Sequence, residues 1–449
     1  MTARLPLVLA VTALATAAAP AVAVAGWSAP RVVAGFSGSR LGLSPSGRML
    51  LNDDSRAASA QVRSGDGFGA PQPVFAIPTT ERLWGLEADA SDRIILMTIR
   101  RHRPYQRVRI ALRDTGGTLS PARTISGRGH SASQPRLSVA PDGTAVAAWA
   151  WHDSAGWRVQ AAVRKPGEAF GPAQTLSDPT PEERPSVNVV AGEGGRAAIT
   201  WYLSGDDRTP RTDLLAATAG RDGTFRTPTR LDSGGAGYYG TSLAVAPDGR
   251  ALAAWVPTRF VRRGDHASGV LKVADAAAGG AFGPPRTLAT GAPGSATGSS
   301  PVSAFTPDGG AVVAWGKPTA AGNLKALVEA FARPAGGSFS AGQVISDARR
   351  TLAGLTLSAG RDGTVALGWA DADIDIDDPN DDRVKWESRV SVRAPGAREF
   401  PPAERVSDPA HNALWPRVAV APDGAVFAAW TFNDDGSGGG QVAAAVRTP

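Results

Sequence analysis

Apolar and polar positions recur along the chain in one repeated unit. A short apolar strand, a Pro-Asp-Gly turn and a second apolar strand follow each other in APDGTAVAAW at 140–149, APDGRALAAW at 246–255, TPDGGAVVAW at 306–315 and APDGAVFAAW at 421–430. Weaker copies occupy 44–53, 90–99, 191–201 and 359–369. Pro presets φ at the first corner, Asp bonds to the following backbone and Gly accepts a positive φ. The pattern predicts eight β-hairpins.

Two further strands follow each hairpin. A third is typified by WRVQAAVRK from Trp157, and a fourth opens with an aromatic residue, as in FGPAQTLS from Phe170. The chain stops after the third strand of the last repeat, while WSAPRVVA from Trp27 matches the missing fourth strand. Pairing this N-terminal strand with the last repeat would close a ring and remove its exposed edges.

These strands predict an all-β fold: an eight-bladed β-propeller of four-stranded antiparallel blades, closed by the N-terminal strand, in a single domain over 26–449. Seven blades are the alternative, because the first two repeats are degenerate. The tryptophans that end the second strands, Trp149, Trp201, Trp255, Trp315, Trp369 and Trp430, recur at intervals of 52 to 61 residues. We expect them to wedge between blades as core residues.

The composition limits the kinds of functional site that the chain can form. The 449 residues are 42% hydrophobic and 20% charged, enough for a large core, and contain no cysteine. Zinc–thiolate sites, disulfides and cysteine nucleophiles are therefore excluded. The net charge of +6 is spread along the chain without interleaved aromatic residues, which indicates no nucleic-acid partner.

The first residues have the pattern of a signal peptide. Arg4 precedes an apolar run from Leu5 to Ala19, and Ala23-Val24-Ala25 suits a signal peptidase, so 1–25 are predicted to be removed. No later run of about 18 apolar residues predicts a membrane span. The expected product is a secreted monomer, extracellular or, in a host with an outer membrane, periplasmic.

The Pro-Asp-Gly hairpin with its small-residue second strand resembles the proline-aspartate, WD40-like propeller repeat of TolB-like proteins of bacteria, over nearly the whole predicted mature chain. It is distantly similar to the aspartate-box hairpins of sialidases. Those place their aromatic residue about three positions after the glycine, whereas Gly143 and Trp149 are six apart. The resemblance implies a fold and no activity.

Strand order divides the predicted propeller into two faces. The turn face carries the short turns between strands one and two and between strands three and four. The loop face carries the variable loops between strands two and three and between blades, where binding residues usually concentrate. Candidate ligand-binding residues in these loops are Arg100, His102, Tyr105, Trp151, His152, Asp153, Asp206, Arg208, Tyr238, Tyr239, Arg262, His266 and His411.

One loop is strongly acidic. After Trp369 the sequence ADADIDIDDPNDD clusters oxygen ligands of the kind that Ca²⁺ takes, which makes Asp371, Asp373, Asp375, Asp377 and Asp378 candidate metal ligands. The spacing differs from an EF-hand, and a solvated acidic loop without any cofactor is the alternative.

No linear motif for a nucleophile, a phosphate loop or a metal helix is present. The preferred hypothesis is a secreted, non-catalytic propeller that binds an extracellular protein or glycan through its loop face. The alternative is an exo-acting glycoside hydrolase of the sialidase-like kind, which would need arginines that clamp a carboxylate and an activated tyrosine.

Overall fold

The computed structural model describes residues 26–35, 40–44, 49–53, 57–61, 63–64, 67–69, 72–102, 105–180, 184–203, 212–235, 237–261, 264–267, 269–292, 300–319, 325–346, 350–374, 385–433 and 441–449. Every regular element among them is a β-strand, and all the sheet pairings are antiparallel. No helix in this part of the chain is long and apolar enough to cross a membrane. The predicted signal peptide, 1–25, lies outside the described residues.

The strands of the first half of the chain are β1 (Arg31–Gly35), β2 (Arg40–Leu43), β3 (Met49–Asp53), β4 (Ala57–Gln61), β5 (Arg63–Ser64), β6 (Gly67–Phe68), β7 (Gln72–Ala76), β8 (Glu81–Ala88), β9 (Ile94–His102), β10 (Tyr105–Arg113), β11 (Arg123–Thr124), β12 (Ser131–Val139), β13 (Ala145–Asp153), β14 (Gly156–Arg164), β15 (Gln174–Thr175), β16 (Pro185–Ala191), β17 (Ala197–Leu203), β18 (Thr212–Ala219) and β19 (Thr229–Gly235).

Those of the second half are β20 (Gly237–Val245), β21 (Ala251–Val261), β22 (Gly264–Ala267), β23 (Val270–Ala276), β24 (Arg286–Thr290), β25 (Val302–Phe305), β26 (Ala311–Pro318), β27 (Lys325–Arg333), β28 (Gln343–Val344), β29 (Arg350–Ala359), β30 (Val365–Ala372), β31 (Glu387–Arg393), β32 (Glu404–Arg405), β33 (Asn412–Val420), β34 (Val426–Asn433) and β35 (Gln441–Arg447).

Five four-stranded blades are formed. Blade I contains β2, β3, β4 and β7, blade II β8–β11, blade III β12–β15 and blade IV β16–β19, and the terminal blade pairs β33, β34 and β35 with β1. Between blade IV and the terminal blade lie a five-stranded sheet, β20–β24, and an eight-stranded sheet, β25–β32. Strands β5 and β6 pair as a separate ribbon.

The prediction of eight separate four-stranded blades is therefore wrong, as is the alternative of seven. The repeats in the sequence count hairpins, whereas the number of sheets depends on pairing between neighbouring units. Lys325 and Ala326 of β27 pair with Thr351 and Arg350 of β29, which joins two units into one sheet. The loop after β21 adds β22 as a fifth strand to its own sheet.

Closure by the two ends of the chain is observed. Strand β1 pairs with β35, Ser28 N donates to the carbonyl of Val446 at 2.7 Å, and Val446 N donates to Ser28 Oγ at 3.0 Å. Trp27 is buried at 4% exposure, in the same core cluster as Trp430. The predicted pairing of the N-terminal strand with the last repeat is confirmed.

First strands of successive units contact one another in turn, in the order β8, β12, β16, β20, β25, β29 and β33, and β33 contacts β2. The core lies between the sheets. The six repeated tryptophans are at most 2% exposed, which confirms their prediction as core residues. Alanines of the second strand, such as Ala147 and Ala148, are fully buried and permit this close packing.

The Pro-Asp-Gly turns adopt the predicted geometry. Their glycines have φ of +88° at Gly143 and +94° at Gly249, a region open to glycine at no steric cost. The Asp carboxylate accepts the backbone N–H two residues later, at 2.8 Å from Thr144 to Asp142 and 3.0 Å from Arg250 to Asp248.

Candidate binding site on the loop face

The structure describes the side chains of some candidate residues, only the strand assignment of others, and none of the rest. Side chains are described for Arg100, Tyr105, Trp151, His152, Asp153, Asp371, Asp373 and His411. Of His102, Tyr238, Tyr239 and His266 only the strand assignment is described, in β9, β20 and β22. The candidates Asp206, Arg208, Arg262, Asp375, Asp377 and Asp378 lie outside the described residues. Arg100 is exposed near the end of β9.

Tyr105 and Trp151 come together around a histidine that precedes β12. The His130 ring lies 5.6 Å from Trp151, edge to face, and 6.4 Å from Tyr105. Trp151 is only 5% exposed, because Gly127 covers it so closely that a Cβ there would lie 3.0 Å from the indole. Tyr105, at 38% exposure, provides the accessible ring of the cluster.

His152 and Asp153 are the last two residues of β13, before the turn to β14. The exposed His152 ring lies 4.7 Å from the Trp157 ring, tilted by 54°. Asp153 accepts the Ala155 N–H at 2.8 Å and the Arg158 Nε–H at 3.0 Å. The first of these bonds, followed by the Arg158 contacts, lowers the pKa of Asp153 below its ordinary value. Asp153 therefore stabilises its own hairpin as a carboxylate.

Asp371 is 1% exposed and already paired. Its carboxylate accepts the Trp369 indole N–H at 2.9 Å, with Arg350 Nε at 3.1 Å and Arg389 Nε at 3.2 Å. Burial raises the pKa of Asp371, an effect that the two arginines and the indole bond oppose. Asp373 is exposed and pairs with Lys325 Nζ at 2.8 Å.

The surroundings of Asp371 and Asp373 are thus cationic, which disfavours a metal ion beside them. The described residues contain no group of three or more His, Asp or Glu side chains that could hold a metal. Because Asp375, Asp377 and Asp378 are not described, calcium binding by the rest of the acidic loop stays a prediction.

Three arginines converge in the same region of the eight-stranded sheet. Arg389 Nη2 lies 2.6 Å from Glu387, Arg405 Nη1 lies 3.4 Å from Glu387, and Arg350 bridges Glu387 and Asp371. A sialidase-like clamp needs arginines directed at a substrate carboxylate. Here the three guanidinium groups are neutralised by internal carboxylates, so this cluster is a structural network.

A second feature of the loop face has no counterpart in the sequence predictions. Gln134 of β12 and Trp415 of β33 have φ of 47° and 54°, which is rare for residues with a side chain. Gln134 lies in a β-bulge opposite the buried Trp149, and Trp415 lies in a β-bulge opposite the buried Trp430. Both bulges are near the start of their strands. Gly240 and Gly354 have φ of 59° and 65° in the corresponding bulges of β20 and β29.

Residues at or beside these bulges form three neighbouring pairs. A Cβ on Gly354 would lie 3.0 Å from Trp415 Cα, and one on Gly240 would lie 1.9 Å from Ser300 Oγ. Arg184, before β16, reaches Ser133 Oγ beside Gln134 at 3.4 Å. We call this set the inner rim: Gln134, Arg184, Gly240, Ser300, Gly354 and Trp415.

The inner rim carries unlike side chains at similar positions of the repeats. Gln134, Arg184, Ser300 and Trp415 each precede a proline, and QPRLSV from Gln134 parallels WPRVAV from Trp415. This residue-before-proline repeat is the signal that could have revealed the rim. A residue before proline is biased towards extended backbone, so a left-handed one is not expected from sequence. Trp415 is 56% exposed.

Three sequence candidates flank the inner rim. Tyr238 and Tyr239 directly precede Gly240 in β20. His411 directly precedes β33, with its ring 5.4 Å from that of Phe432. The loop face therefore brings Tyr105 and Trp151 together around His130 between blades II and III, whereas His411 contacts Phe432 in the terminal blade.

Several solved structures are distantly similar to the chain. No protein-family model matches the chain, and no curated protein matches it. Among solved structures, a Hadza microbial sialidase is 14% identical over 70% of this chain and 71% of its own, with a TM-score of 0.37. A PL25 ulvan lyase is 10% identical over 81% and 93%, with a TM-score of 0.43.

The prolyl oligopeptidase B of Galerina marginata is 10% identical over 88% of this chain and 55% of its own, with a TM-score of 0.44. Similarities this low do not bear on the activity of the chain. The resemblance to TolB-like repeats stays a prediction.

Proposed function

We propose that the protein is a secreted, non-catalytic propeller that binds an extracellular carbohydrate at the inner rim. The observation that carries the proposal is Trp415, an exposed indole held on a left-handed backbone. Such a conformation costs of order 1–3 kcal/mol and concentrates at functional sites. At 56% exposure Trp415 gains much less from burial than the repeated tryptophans, which are at most 2% exposed.

The remaining rim residues suit a polar ligand. Gln134, Arg184 and Ser300 supply amide, guanidinium and hydroxyl groups, and Gly240 and Gly354 allow Ser300 and Trp415 to approach closely. An indole offers a large rigid face at low entropic cost, on which the C–H face of a sugar ring can stack. Export would depend on the predicted leader, 1–25.

A protein ligand fits less well. Stable protein interfaces bury about 800 Å² on each partner around apolar anchors. The large hydrophobic residues exposed in the described part of the chain are Val32, Tyr105, Val344 and Trp415, which are scattered over several sheets. A ligand that needs one aromatic platform and several hydrogen bonds matches this surface better.

The test is a glycan array with the secreted protein, followed by calorimetry on the ligands found. Trp415→Ala should weaken binding at least tenfold. Val344→Ala, which trims an exposed apolar residue of β28, is the matched control and should bind as the native protein does. Binding that survives Trp415→Ala would place the ligand elsewhere, and capture of proteins without any glycan would contradict the carbohydrate assignment.

Catalysis is tested separately with a panel of fluorogenic glycosides. The proposal expects no turnover. Turnover that is abolished by neutralising an acid of the loop face would replace binding with the glycoside hydrolase alternative.

A further inference from the structure

Four of the six repeated tryptophans donate a hydrogen bond from the indole N–H to a side chain. The indole N–H donates to Gln160 from Trp149 at 3.2 Å, to Asp232 from Trp255 at 2.8 Å, to Glu329 from Trp315 at 2.9 Å and to Asp371 from Trp369 at 2.9 Å. In three of these the acceptor is a carboxylate that also holds a cation: Lys272 on Asp232, Lys317 on Glu329 and Arg389 on Asp371.

Trp201 of blade IV has no such acceptor among the described residues. Its cross-strand partner is Leu215, at the position from which Gln160 and Glu329 face their tryptophans. The position equivalent to Asp232 is Ser177, whose hydroxyl already accepts the Val159 N–H at 2.9 Å. An acceptor that binds beside Trp201 would therefore supply the hydrogen bond that the other four tryptophans make within the protein.

A cleft opens beside this donor. It has a volume of about 550 Å³, within the range of small-molecule sites, and lies between blades III and IV. Trp201, Leu215, Leu176 and Pro228 form its apolar walls. Arg158, which holds Asp153 through Nε, contributes a guanidinium group.

We propose that this cleft binds a small carboxylic acid with a cyclic body, whose carboxylate takes the Trp201 indole N–H and the Arg158 guanidinium. The ligand supplies the acceptor that Glu329 and Asp371 supply elsewhere in the same chain. The apolar walls cover its ring. Asp178, exposed at the cleft, opposes the ligand charge. This site is separate from the inner rim.

Trp430 can be compared with Trp201. It faces Ala443 and therefore also lacks a cross-strand acceptor. Its surroundings, however, are filled by the core cluster that contains Trp27. A missing acceptor and an open cleft coincide at Trp201.

The experiment uses the secreted protein with ¹⁵N-labelled tryptophan. Indole N–H resonances are followed during titration with benzoate and with D-glucuronate, and with the neutral analogues benzamide and D-glucose. One resonance, assigned by its loss in Trp201→Phe, should shift saturably with a carboxylate. The two acids distinguish an aromatic acid from a sugar acid as the source of that carboxylate.

The first substitution copies a residue from the equivalent position of another repeat. Leu215→Glu reproduces the Trp315–Glu329 pair and should weaken carboxylate binding at least tenfold, while Leu215→Met controls for packing and should bind normally. Asp178→Asn should strengthen binding severalfold. Arg158→Gln should weaken it, whereas Arg286→Gln, the same change at an exposed arginine of the five-stranded sheet, should not.

The proposal is wrong if neither acid shifts the Trp201 resonance, if the neutral analogues bind equally well, or if Leu215→Glu leaves binding unchanged. Trp415→Ala should have no effect on this titration. Failure here is therefore distinguishable from failure of carbohydrate binding at the inner rim.

Discussion

The turn face and the loop face use the same strands in opposite ways. On the turn face an arginine follows the left-handed turn residue and bonds to the next turn: Arg93 to the Asp142 carbonyl at 3.4 Å, Arg196 to the Pro247 carbonyl at 3.3 Å and Arg250 to the Gly309 carbonyl at 2.9 Å. On the loop face Gln134, Gly240, Gly354 and Trp415 share a left-handed backbone but carry unlike side chains. The turn face therefore repeats a side-chain contact, whereas the inner rim repeats only a backbone conformation.

Closure of the ring underlies both faces, and its loss should have the largest effect. A chain that begins at Ser37 lacks Trp27 and β1, so the β35 edge is exposed and a buried indole is lost. We expect at least about 4 kcal/mol of destabilisation, since truncating a buried tryptophan alone typically costs 3–5 kcal/mol. Urea denaturation of chains that begin at Gly26 and at Ser37 measures it. Equal midpoints would show that closure does not stabilise the fold.

Adding a single carbon atom at Gly143 should disturb the contacts of the turn face. A Cβ on Gly143 would lie 2.7 Å from Arg93 Nη2 and 2.9 Å from Asp89 Oδ2, so Gly143→Ala displaces the contact between blades II and III. We expect about 2–3 kcal/mol of destabilisation, of which left-handed strain contributes about 1–2 kcal/mol.

Gly167→Ala is the matched control for that strain. Gly167 has a φ of +77° and nothing within 4 Å of its Cβ position, so only the strain remains. If both variants lose the same stability in denaturation, the arginine contacts of the turn face contribute nothing between blades.

Much of the turn face was predictable, because the Pro-Asp-Gly turn is a local motif whose residues set their own backbone. The buried tryptophans and the pairing of β1 with β35 followed from the same repetition. The number of sheets did not, since the pairing of Lys325 with Thr351 depends on how two loops meet. The inner rim was also hidden, because the left-handed backbone of Trp415 contradicts the preference of a residue before proline.

Asp308 on the turn face and Asp371 on the loop face should respond to pH in opposite directions. Hydrogen bonds from Thr306 and Gly310 lower the pKa of Asp308 on the turn face, whereas burial raises the pKa of Asp371. Asp308 therefore adds stability above its ordinary pKa of 3.8, and this is lost as the pH falls through its lower folded value. Asp371 releases its proton at a higher pH in the folded chain than in the unfolded chain. Its contribution to stability therefore falls as the pH rises from 3.8 to the raised pKa of the folded state.

Urea denaturation from pH 2.5 to 7 measures both. Asp308→Asn should flatten the acid limb of the stability curve, and Asp371→Asn should steepen the rise between pH 3.8 and neutrality. The same change of slope in both variants would contradict the opposite shifts.

The smallest effect on stability is expected at the inner rim. Trp415→Gly removes an exposed side chain and allows a φ of 54° without strain, which gains about 1–2 kcal/mol. The greater freedom of glycine in the unfolded chain offsets roughly 0.4–1 kcal/mol of this, so the variant should be equal to or slightly more stable than the native protein. Trp430→Ala, at the buried tryptophan opposite the same bulge, should lose about 3–5 kcal/mol. Denaturation of the two variants gives this comparison directly. A loss of several kcal/mol in Trp415→Gly would mean that the indole holds the rim together, and the exposed ring would then be a structural part of the loop face instead of a residue kept, at a cost in stability, for a ligand.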